Sequence, residues 1–242
     1  GLAGCTWRFP EPVPTLVNDV HSRLNPTRVD RVVRAESLEG LERLVRSARA
    51  EGKGLSIAGG RHAMGGQQFG TGTILVDMTG MGRVLQFDPG KGEIEVEAGI
   101  QWPELITHLV EAQRGRARQW GIVQKQTGAD RLSIGGALAA NVHGRGLSQK
   151  PFISNVESFV LVDAAGSSRK CDRRENGELF RLAIGGYGLF GIIASVRLRL
   201  APRRKVERVV EVIGVDDLMP AFERRIADGF LYGDWQYATD VP

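Results

Sequence analysis

Apolar residues early in the chain recur first at the spacing of an amphipathic helix and then in short extended runs. The helical positions share one face: Leu38, Leu41, Leu44, Val45 and Ala48. Ser37 is a suitable N-cap residue for this helix, because its side chain can accept a hydrogen bond from a free amide of the first turn. Gly52 is a suitable residue to end the helix, because glycine commonly follows the last helical turn. The runs Leu55–Ala58 and Ile74–Asp77 predict two short strands. The residues between them therefore form a strand-to-strand loop.

Alternating apolar and polar positions next predict a hairpin. Val84–Asp88 and Glu93–Glu97 flank a proline- and glycine-rich turn and leave one face apolar. Pro103 then opens a helix that reaches about Ala112, since proline suits the first helical turn.

The following hundred residues continue the mixture of helix and strand. The predicted elements are a small-residue helix, a second hairpin, another helix and an alternating strand: Ile134–Asn141, Phe159–Asp163 with Ser167–Cys171, Leu179–Ile184 and Ile192–Leu200. Strands dominate and helices lie between them, so the fold class is α+β.

Residues 201–205 are basic and contain a proline, which predicts a linker. A strand, a helix and a strand are expected after it, over Val206–Val212, Val215–Ile226 and Leu231–Thr239. The chain stops at Pro242, in the middle of what this pattern suggests is a small sheet domain, and we expect it to be part of a larger protein.

Composition narrows the class of protein. The chain has 242 residues, of which 42% are hydrophobic and 25% charged, and this is typical of a globular domain with a sizeable core. Its uninterrupted apolar stretches are too short to cross a bilayer. The net charge of +4 comes from interspersed basic and acidic residues, so we expect no nucleic-acid partner.

Cysteine usage indicates neither a disulfide framework nor a metal site. Cys5 and Cys171 are far apart and belong to no Cys/His cluster, so no metal ligands are predicted. The opening Leu2-Ala3-Gly4-Cys5 matches the end of a lipoprotein signal without the segments that should precede it. Localisation stays open: cytoplasmic by default, with export or lipid anchoring as the alternative.

Glycine is the most informative residue type. There are 32, and 17 of them fall in three clusters, at residues 52–72, 128–146 and 185–191. Such clustering favours backbone segments that need positive φ angles or that a ligand approaches closely. The alternative, tight turns between strands, explains isolated glycine pairs better than dense clusters.

Two of the clusters suit an anionic ligand. The loop Gly59–Gln67 follows a strand and offers backbone N–H groups unobstructed by Cβ atoms, and in Ser133–Ala137 a capping serine precedes a helix whose first amides can face a phosphate. Together they favour a diphosphate. Neither has the Walker lysine or the Rossmann Gly-x-Gly-x-x-Gly spacing, which argues against those nucleotide-binding folds.

Three motifs carry a resemblance to a known family. They are Ala58–Gln67, with its His-x-x-x-Gly-Gln spacing, Thr127–Gly146 and Gly185–Ile193. Together, and in this order, they resemble the FAD-binding domain of the vanillyl-alcohol oxidase and p-cresol methylhydroxylase (PCMH-type) FAD-linked oxidases. The likeness extends over roughly Thr27–Leu200 and includes similarity to cytokinin dehydrogenases and to aldonolactone and alditol oxidases.

The resemblance implies a domain of two α+β subdomains that binds FAD, followed by the start of a substrate-binding cap. It divides the chain into an N-terminal extension at 1–26, the FAD-binding domain at 27–203 and a truncated cap domain at 204–242. It also implies a covalent bond from His62 to the flavin 8α-methyl group. The implied cofactor-binding residues are Gly59, Gly60, Arg61, His62, Ala63, Gln67, Gly128, Ser133, Gly135, Gly136, His143 and Ile192.

The resemblance also implies the reaction. A hydride passes from a CH–OH or CH–NH donor to flavin N5, and oxygen or another acceptor reoxidises the flavin. Val142-His143-Gly144 is closer to the Thr-His-Gly of aldonolactone and alditol oxidases, which favours a sugar-like or polyol donor. The expected partners are this small-molecule substrate, the electron acceptor and the remaining C-terminal cap region. Cytokinin dehydrogenase-like amine oxidation and a non-catalytic flavin-binding or scaffold domain are the alternatives.

Several residues keep a second interpretation. His62 either attaches the flavin or only hydrogen-bonds it, Arg61 either neutralises the pyrophosphate or is solvated, and His143 contacts the flavin or shapes a turn.

Cytokinin dehydrogenases carry an acidic residue where Gly128 stands here. Asp130, the nearest acid, is expected to cap the following helix rather than to act as a base. No catalytic residue is assigned. The remaining side chains of interest are expected to be structural: His21, His108, Trp102 and Trp120.

Overall fold

The structure is a computed structural model that describes residues 15–237. The sequence features at Leu2–Cys5, and the end of the strand expected up to Thr239, lie outside these residues.

The first part of the fold contains a small parallel sheet with one helix. Its elements are β1 (Thr15–Val17), β2 (Thr27–Val29), β3 (Arg31–Arg34), α1 (Leu38–Ala50), β4 (Leu55–Ala58) and β5 (Ile74–Asp77). β5 lies between β3 and β4 and runs parallel to both, whereas β1 and β2 form a separate antiparallel pair. The loop after β4 therefore leaves the carboxyl edge of a parallel sheet, where ligands of α/β sheets commonly bind.

The second part is built on a five-stranded antiparallel sheet. Its elements are β6 (Val84–Asp88), β7 (Glu93–Glu97), α2 (Trp102–Ala112), β8 (Trp120–Gly121), α3 (Ile134–Ala139), β9 (Val156–Val162), β10 (Ser168–Asp172), α4 (Gly177–Ala183), β11 (Ile192–Arg199) and β12 (Ala201–Pro202). The strand order is β10-β9-β11-β7-β6, and β12 pairs with β8. A last helix, α5 (Leu218–Ala227), follows.

Helix α1 joins the two parts. Its Leu41 and Val45 pack with Val76 of β5 on one side and with Val162 and Ala194 of the larger sheet on the other. Ser37 caps the helix by accepting a hydrogen bond from the Gly40 amide, as its position in the sequence predicts. A larger apolar cluster fills the space around α2, α3 and the five-stranded sheet.

Most elements predicted from periodicity are present, and the α+β class is confirmed. The first hairpin has the predicted bounds, and the small-residue helix ends two residues earlier than expected, at Ala139. Two predictions after the linker are wrong, because Val206–Val212 is not a strand and the described residues of Leu231–Thr239 form only an isolated bridge from Tyr232 to Gly146. Without a neighbouring strand to receive their backbone hydrogen bonds, β-branched residues do not make a sheet.

Two observations over residues 15–237 concern membranes and metals. None of the helices there has the length and apolar character needed to span a bilayer. No group of three or more histidine, cysteine, aspartate or glutamate side chains is placed to hold a metal ion. Cys171 is buried in the main core as a free thiol, and burial raises its pKa to about 11.

Candidate cofactor site

A cavity of about 460 Å³ lies between the two parts of the fold. Its walls are β4 and the loop that follows, one side of α3 from Ser133 to Ala140, the glycine-rich turn at residues 187–191 and the start of β11. This volume is in the range of small-molecule and cofactor sites. The predicted site residues that line it are Gly59, Gly60, Arg61, His62, Ala63, Gln67, Ser133, Gly135, Gly136 and Ile192.

The first two glycine clusters meet at one wall of this cavity. A Cβ atom on Gly59 would lie 2.0 Å from Ser133 Oγ, and one on Gly60 would lie 2.2 Å from the Arg131 carbonyl oxygen. Both distances are far below van der Waals contact, so a side chain at either position would force its neighbours to move. The glycines at 59 and 60 therefore allow the β4 loop to pack against the start of α3.

The amides at the start of α3 are already used within the protein. The Gly135 N–H donates to the Ala98 carbonyl and the Ile134 N–H to the Ile100 carbonyl, while the Gly136 N–H is capped by Ser133 Oγ. The expectation that these amides face a phosphate is therefore wrong in this structure. Gly135 itself is needed for packing, because its Cβ would lie 2.8 Å from that of Ala98.

The β4 loop differs in this respect. Within residues 15–237, the N–H groups of Gly60, Arg61, His62 and Ala63 donate no hydrogen bond to protein acceptors. Arg61 has a φ of 57°, the left-handed region in which successive amides can form a concave donor surface. Four consecutive free amides on a cavity wall have the chemistry that a phosphate or pyrophosphate requires.

His62 lines the cavity beside these amides, and its Nδ1 atom lies 2.6 Å from Nε2 of His21. Burial lowers the pKa of His62 below its ordinary 6.5, the positive charge available to His21 lowers it further, and a hydrogen bond to the Arg131 carbonyl partly opposes both effects. His62 is therefore uncharged at neutral pH and keeps a nitrogen lone pair.

The chain before β2 holds this loop in place. Asp19 is 2% exposed and accepts hydrogen bonds from the amides of His21 and Ser22, among other donors. The turn it stabilises bonds to the loop, because the Val20 N–H donates to the Arg61 carbonyl and Asn25 Nδ2 donates to the Met64 carbonyl. His21, expected to be merely structural, thus contacts the main candidate residue of the site.

The third glycine cluster forms the opposite wall. Gly191 has a φ of 139°, and a Cβ there would lie 2.5 Å from Leu161 Cδ2, so the turn into β11 requires glycine. Ile192 follows it, buried and lining the cavity. Tyr187 and Leu189 line the same wall and are 63% and 85% exposed, which leaves an apolar rim.

Gln68 also lines the cavity, although the sequence analysis named only its neighbour Gln67. Both polar atoms of its amide, Nε2 and Oε1, are buried, and neither has a hydrogen-bond partner among the described residues. Buried amides are normally satisfied, so an unpaired one on a cavity wall indicates a ligand group. Consecutive glutamines in a loop carry no periodicity that would tell the buried one from the exposed one.

Two predicted cofactor residues do not line the cavity. Gly128 has a φ of 93° and open space around its Cβ position, so a turn explains it. His143 is exposed, and its Nδ1 lies 3.1 Å from the Gly144 carbonyl oxygen. Asp130 caps no helix, contrary to expectation, because it pairs with Lys125 at the surface while Ser133 caps α3.

Fold and site together define a class: a two-part α+β domain that holds a phosphate-containing cofactor between its parts. The chain belongs to the FAD binding domain family, which residues 29–172 match. This confirms the resemblance to the PCMH-type FAD-linked oxidases and the assignment of FAD as the cofactor.

Similar proteins with curated names are an oxidoreductase, cytokinin dehydrogenases and L-gulonolactone oxidases. The chain is 27% identical over 203 residues to an uncharacterized oxidoreductase of the fasciation locus of Rhodococcoides fascians, covering 81% of this chain and 44% of that protein. It is 28% identical to cytokinin dehydrogenase 5 of Arabidopsis thaliana (84% of this chain, 38% of the relative) and 27% identical to L-gulonolactone oxidase of Bos taurus (69% and 36%). The chain thus spans less than half the length of each of these relatives.

The cavity suits FAD on its own chemistry. The free amides of Gly60–Ala63 match the pyrophosphate, the mainly apolar walls match the flat rings, and the unpaired Gln68 amide supplies one polar contact for a ring edge. These residues would hold the cofactor.

Proposed function

We propose that this domain carries an FAD that accepts a hydride from a CH–OH or CH–NH donor and passes the electrons to oxygen or another acceptor. The observation that carries the proposal is geometric: four free backbone amides and the His62 imidazole line the same cavity. The flavin supplies the redox chemistry, and the protein binds and orients it and excludes water. The donor is sugar-like or a polyol in our proposal, by the resemblance at Val142-His143-Gly144.

We propose further that His62 is the attachment point of the flavin. An uncharged imidazole nitrogen has the lone pair that a bond to the 8α-methyl carbon requires, and burial beside His21 favours that state by lowering the pKa of His62. The C–N bond would replace a C–H bond of the methyl group and the N–H bond of the imidazole. Two protons would leave, and the two electrons would pass through the flavin to the oxygen or other acceptor named above. The carbonyl of Arg61 accepts a bond from Val20, so the loop that presents His62 is braced from outside the cavity.

Within residues 15–237, no carboxylate lines the cavity. We therefore assign no catalytic base to the described residues. The substrate, the electron acceptor and a C-terminal cap region that completes the substrate site are parts of the proposal that rest on the family resemblance.

Acid precipitation of the purified yellow protein tests the attachment. Wild-type protein should keep its colour in the pellet, whereas His62→Ala should release it to the supernatant. His108→Gln is the matched control, since His108 packs against Phe87 outside the cavity and should leave the colour in the pellet. Colour released from the wild type would overturn the covalent bond and leave the FAD assignment intact.

Anaerobic titration with alcohols, polyols, aldonolactones and amines tests the reaction. A donor of the proposed class should bleach the visible absorbance of the flavin, and admission of oxygen or an artificial acceptor should restore it. Protein that holds flavin and is bleached by none of these compounds would instead favour the flavin-carrier alternative.

A further inference from the structure

The amide of Gln68 is the most unusual polar group of the cavity. Both Nε2 and Oε1 are buried without a protein partner among residues 15–237, although a glutamine amide offers two donor hydrogens and an accepting oxygen. Leaving such groups unpaired destabilises the fold, and replacing them with an apolar side chain of the same shape removes that cost. The side chain is therefore placed for a ligand rather than for stability.

The position of Gln68 indicates which part of a ligand it meets. Gln68 belongs to the turn that leads to Gly70 and Thr73, and Thr73 Oγ1 bonds both to the Gly70 carbonyl and to Ser56 Oγ, near the start of β4. His62 lies beyond the other end of β4. At about 3.3 Å per residue, Ser56 lies about 7 Å from Ala58, the last residue of β4, and about 10 Å from Gly59, where the His62 loop begins.

FAD is a linear molecule with a flavin ring at one end, an adenine at the other and a pyrophosphate between them. If the flavin lies at His62 and the pyrophosphate at the free amides of Gly60–Ala63, the adenine extends toward the start of β4. The walls there are apolar, with Leu55, Ile57 and Phe69 lining the cavity. An adenine in such surroundings needs one polar partner for its edge.

We propose that Gln68 recognises the adenine of the cofactor, with Oε1 accepting from the exocyclic amino group and Nε2 donating to the adjacent ring nitrogen. A glutamine amide and an adenine edge match as a bidentate pair, and such a pair discriminates between bases by about five- to 150-fold. The inference rests on the proposed placement of FAD, and it assigns to this chain a preference for FAD over flavins without adenine.

Ligand binding to a His62→Ala background, which holds no flavin covalently, tests the assignment. The probes are ADP, the diphosphate of purine riboside, which lacks only the exocyclic amino group, and FMN. The protein should bind ADP about five- to 150-fold more tightly than the purine analogue. Adding Gln68→Met should remove this preference and leave the FMN affinity unchanged.

Thermal unfolding of the ligand-free protein separates a binding role from a structural one. Gln68→Met should raise Tm, because it removes two unpaired buried polar atoms at nearly constant volume. A lower Tm together with unchanged ADP affinity would overturn the proposal. So would a loss of FMN affinity with the ADP preference intact, which would place the amide at the flavin.

Failure of the inference is distinguishable from failure of the FAD site itself. Protein that binds FAD and ADP equally well with and without Gln68→Met keeps its cofactor assignment and loses only the role of Gln68. Protein that takes up none of FAD, ADP and FMN would overturn both.

Discussion

The rings of His21 and His62 are in contact, with Nε2 of His21 2.6 Å from Nδ1 of His62, the ring centroids 4.7 Å apart and the ring planes tilted by 56°. Burial is the main cause that lowers the pKa of His62, and because two adjacent imidazoles resist carrying two positive charges, the contact with His21 lowers it further. His21 is thus a positioning residue for the side chain to which we assign the flavin.

Replacing His21 should raise the pKa of His62. In His21→Phe the repulsion from a second cation is gone, whereas the burial of His62 remains, so its pKa should move toward 6.5 without reaching it. Proton NMR titration of the ring measures the change, and His108, outside the cavity, serves as the internal reference. An unchanged His62 titration would show that the contact carries no electrostatic coupling.

The turn around Asp19 should loosen in acid. Burial opposes the ionisation of Asp19, but hydrogen bonds from Ser22, Arg23 and Asn25 outweigh it and hold the pKa of Asp19 well below its ordinary value of 3.8. A carboxylate whose pKa is lowered by folding contributes its stability above the ordinary pKa, and this contribution is lost as the pH falls toward the lower folded value. The brace on the His62 loop should therefore weaken below about pH 4.

Hydrogen exchange of the Val20 amide, which donates to the Arg61 carbonyl, reports on this brace. The free energy of opening should fall with pH in the wild type. In Asp19→Asn it should be lower at neutral pH and nearly independent of pH, since the amide cannot ionise. A wild-type opening free energy that stays flat between pH 5 and pH 2.5 would contradict the role given to Asp19.

Sequence patterns predicted the elements whose hydrophobic faces are regular. The α1 helix with its Ser37 cap and the β6–β7 hairpin were predicted because each has a clear period and a defined start or turn. The β1, β2 and β3 strands were not predicted, since each has at most two apolar residues, whereas the equally short β4 and β5 have three. Their stability comes from pairing with distant segments, and single-sequence periodicity does not contain that information.

The candidate site was predicted only in part for a related reason. The glycine clusters indicated where the backbone is special, and ten of the twelve predicted cofactor residues line the cavity. The contact between His21 and His62 joins residues 41 positions apart, and the burial of Gln68 rather than Gln67 depends on how one turn packs. Both depend on tertiary structure. So do the hydrogen bonds that the amides at the start of α3 donate to the carbonyls of Ala98 and Ile100.

The contact between Gly59 and Ser133 should show strong energetic coupling. Gly59→Ala places a Cβ 2.0 Å from Ser133 Oγ and should cost about 1–3 kcal/mol through overpacking. Ser133→Gly removes the obstructing side chain at a cost of a few tenths of a kcal/mol for the cap. The double variant should therefore be more stable than Gly59→Ala alone.

Chemical denaturation of the four proteins in this cycle measures the coupling energy, which for residues in contact is about 0.5–3 kcal/mol. Gly121→Ala is the matched control, because its Cβ would meet nothing within 4 Å and its φ is ordinary. If the changes in unfolding free energy at Gly59 and Ser133 were additive, the β4 loop would be shifting to avoid the clash. Close packing of the first two glycine clusters would then not be needed for stability.

Gln113 provides the counterpart to Gln68, because its amide is buried and fully paired. Its Nε2 donates to the carbonyls of Leu109 and Trp120, its Oε1 accepts from the Trp120 N–H, and the residue is 1% exposed. Gln113→Met keeps the volume but leaves the Trp120 backbone groups without these partners. Each of the two orphaned groups costs about 1–3 kcal/mol, so the free energy of unfolding should fall by roughly 2–6 kcal/mol.

The same exchange should thus have opposite effects at two buried glutamines, stabilising the ligand-free protein at Gln68 and destabilising it at Gln113. Urea denaturation of the two variants side by side checks this, and loss of protection of the Trp120 amide in hydrogen exchange locates the effect of Gln113→Met. Equal destabilisation at both positions would mean that the Gln68 amide has a structural partner in solution, and its unpaired state would no longer point to a ligand.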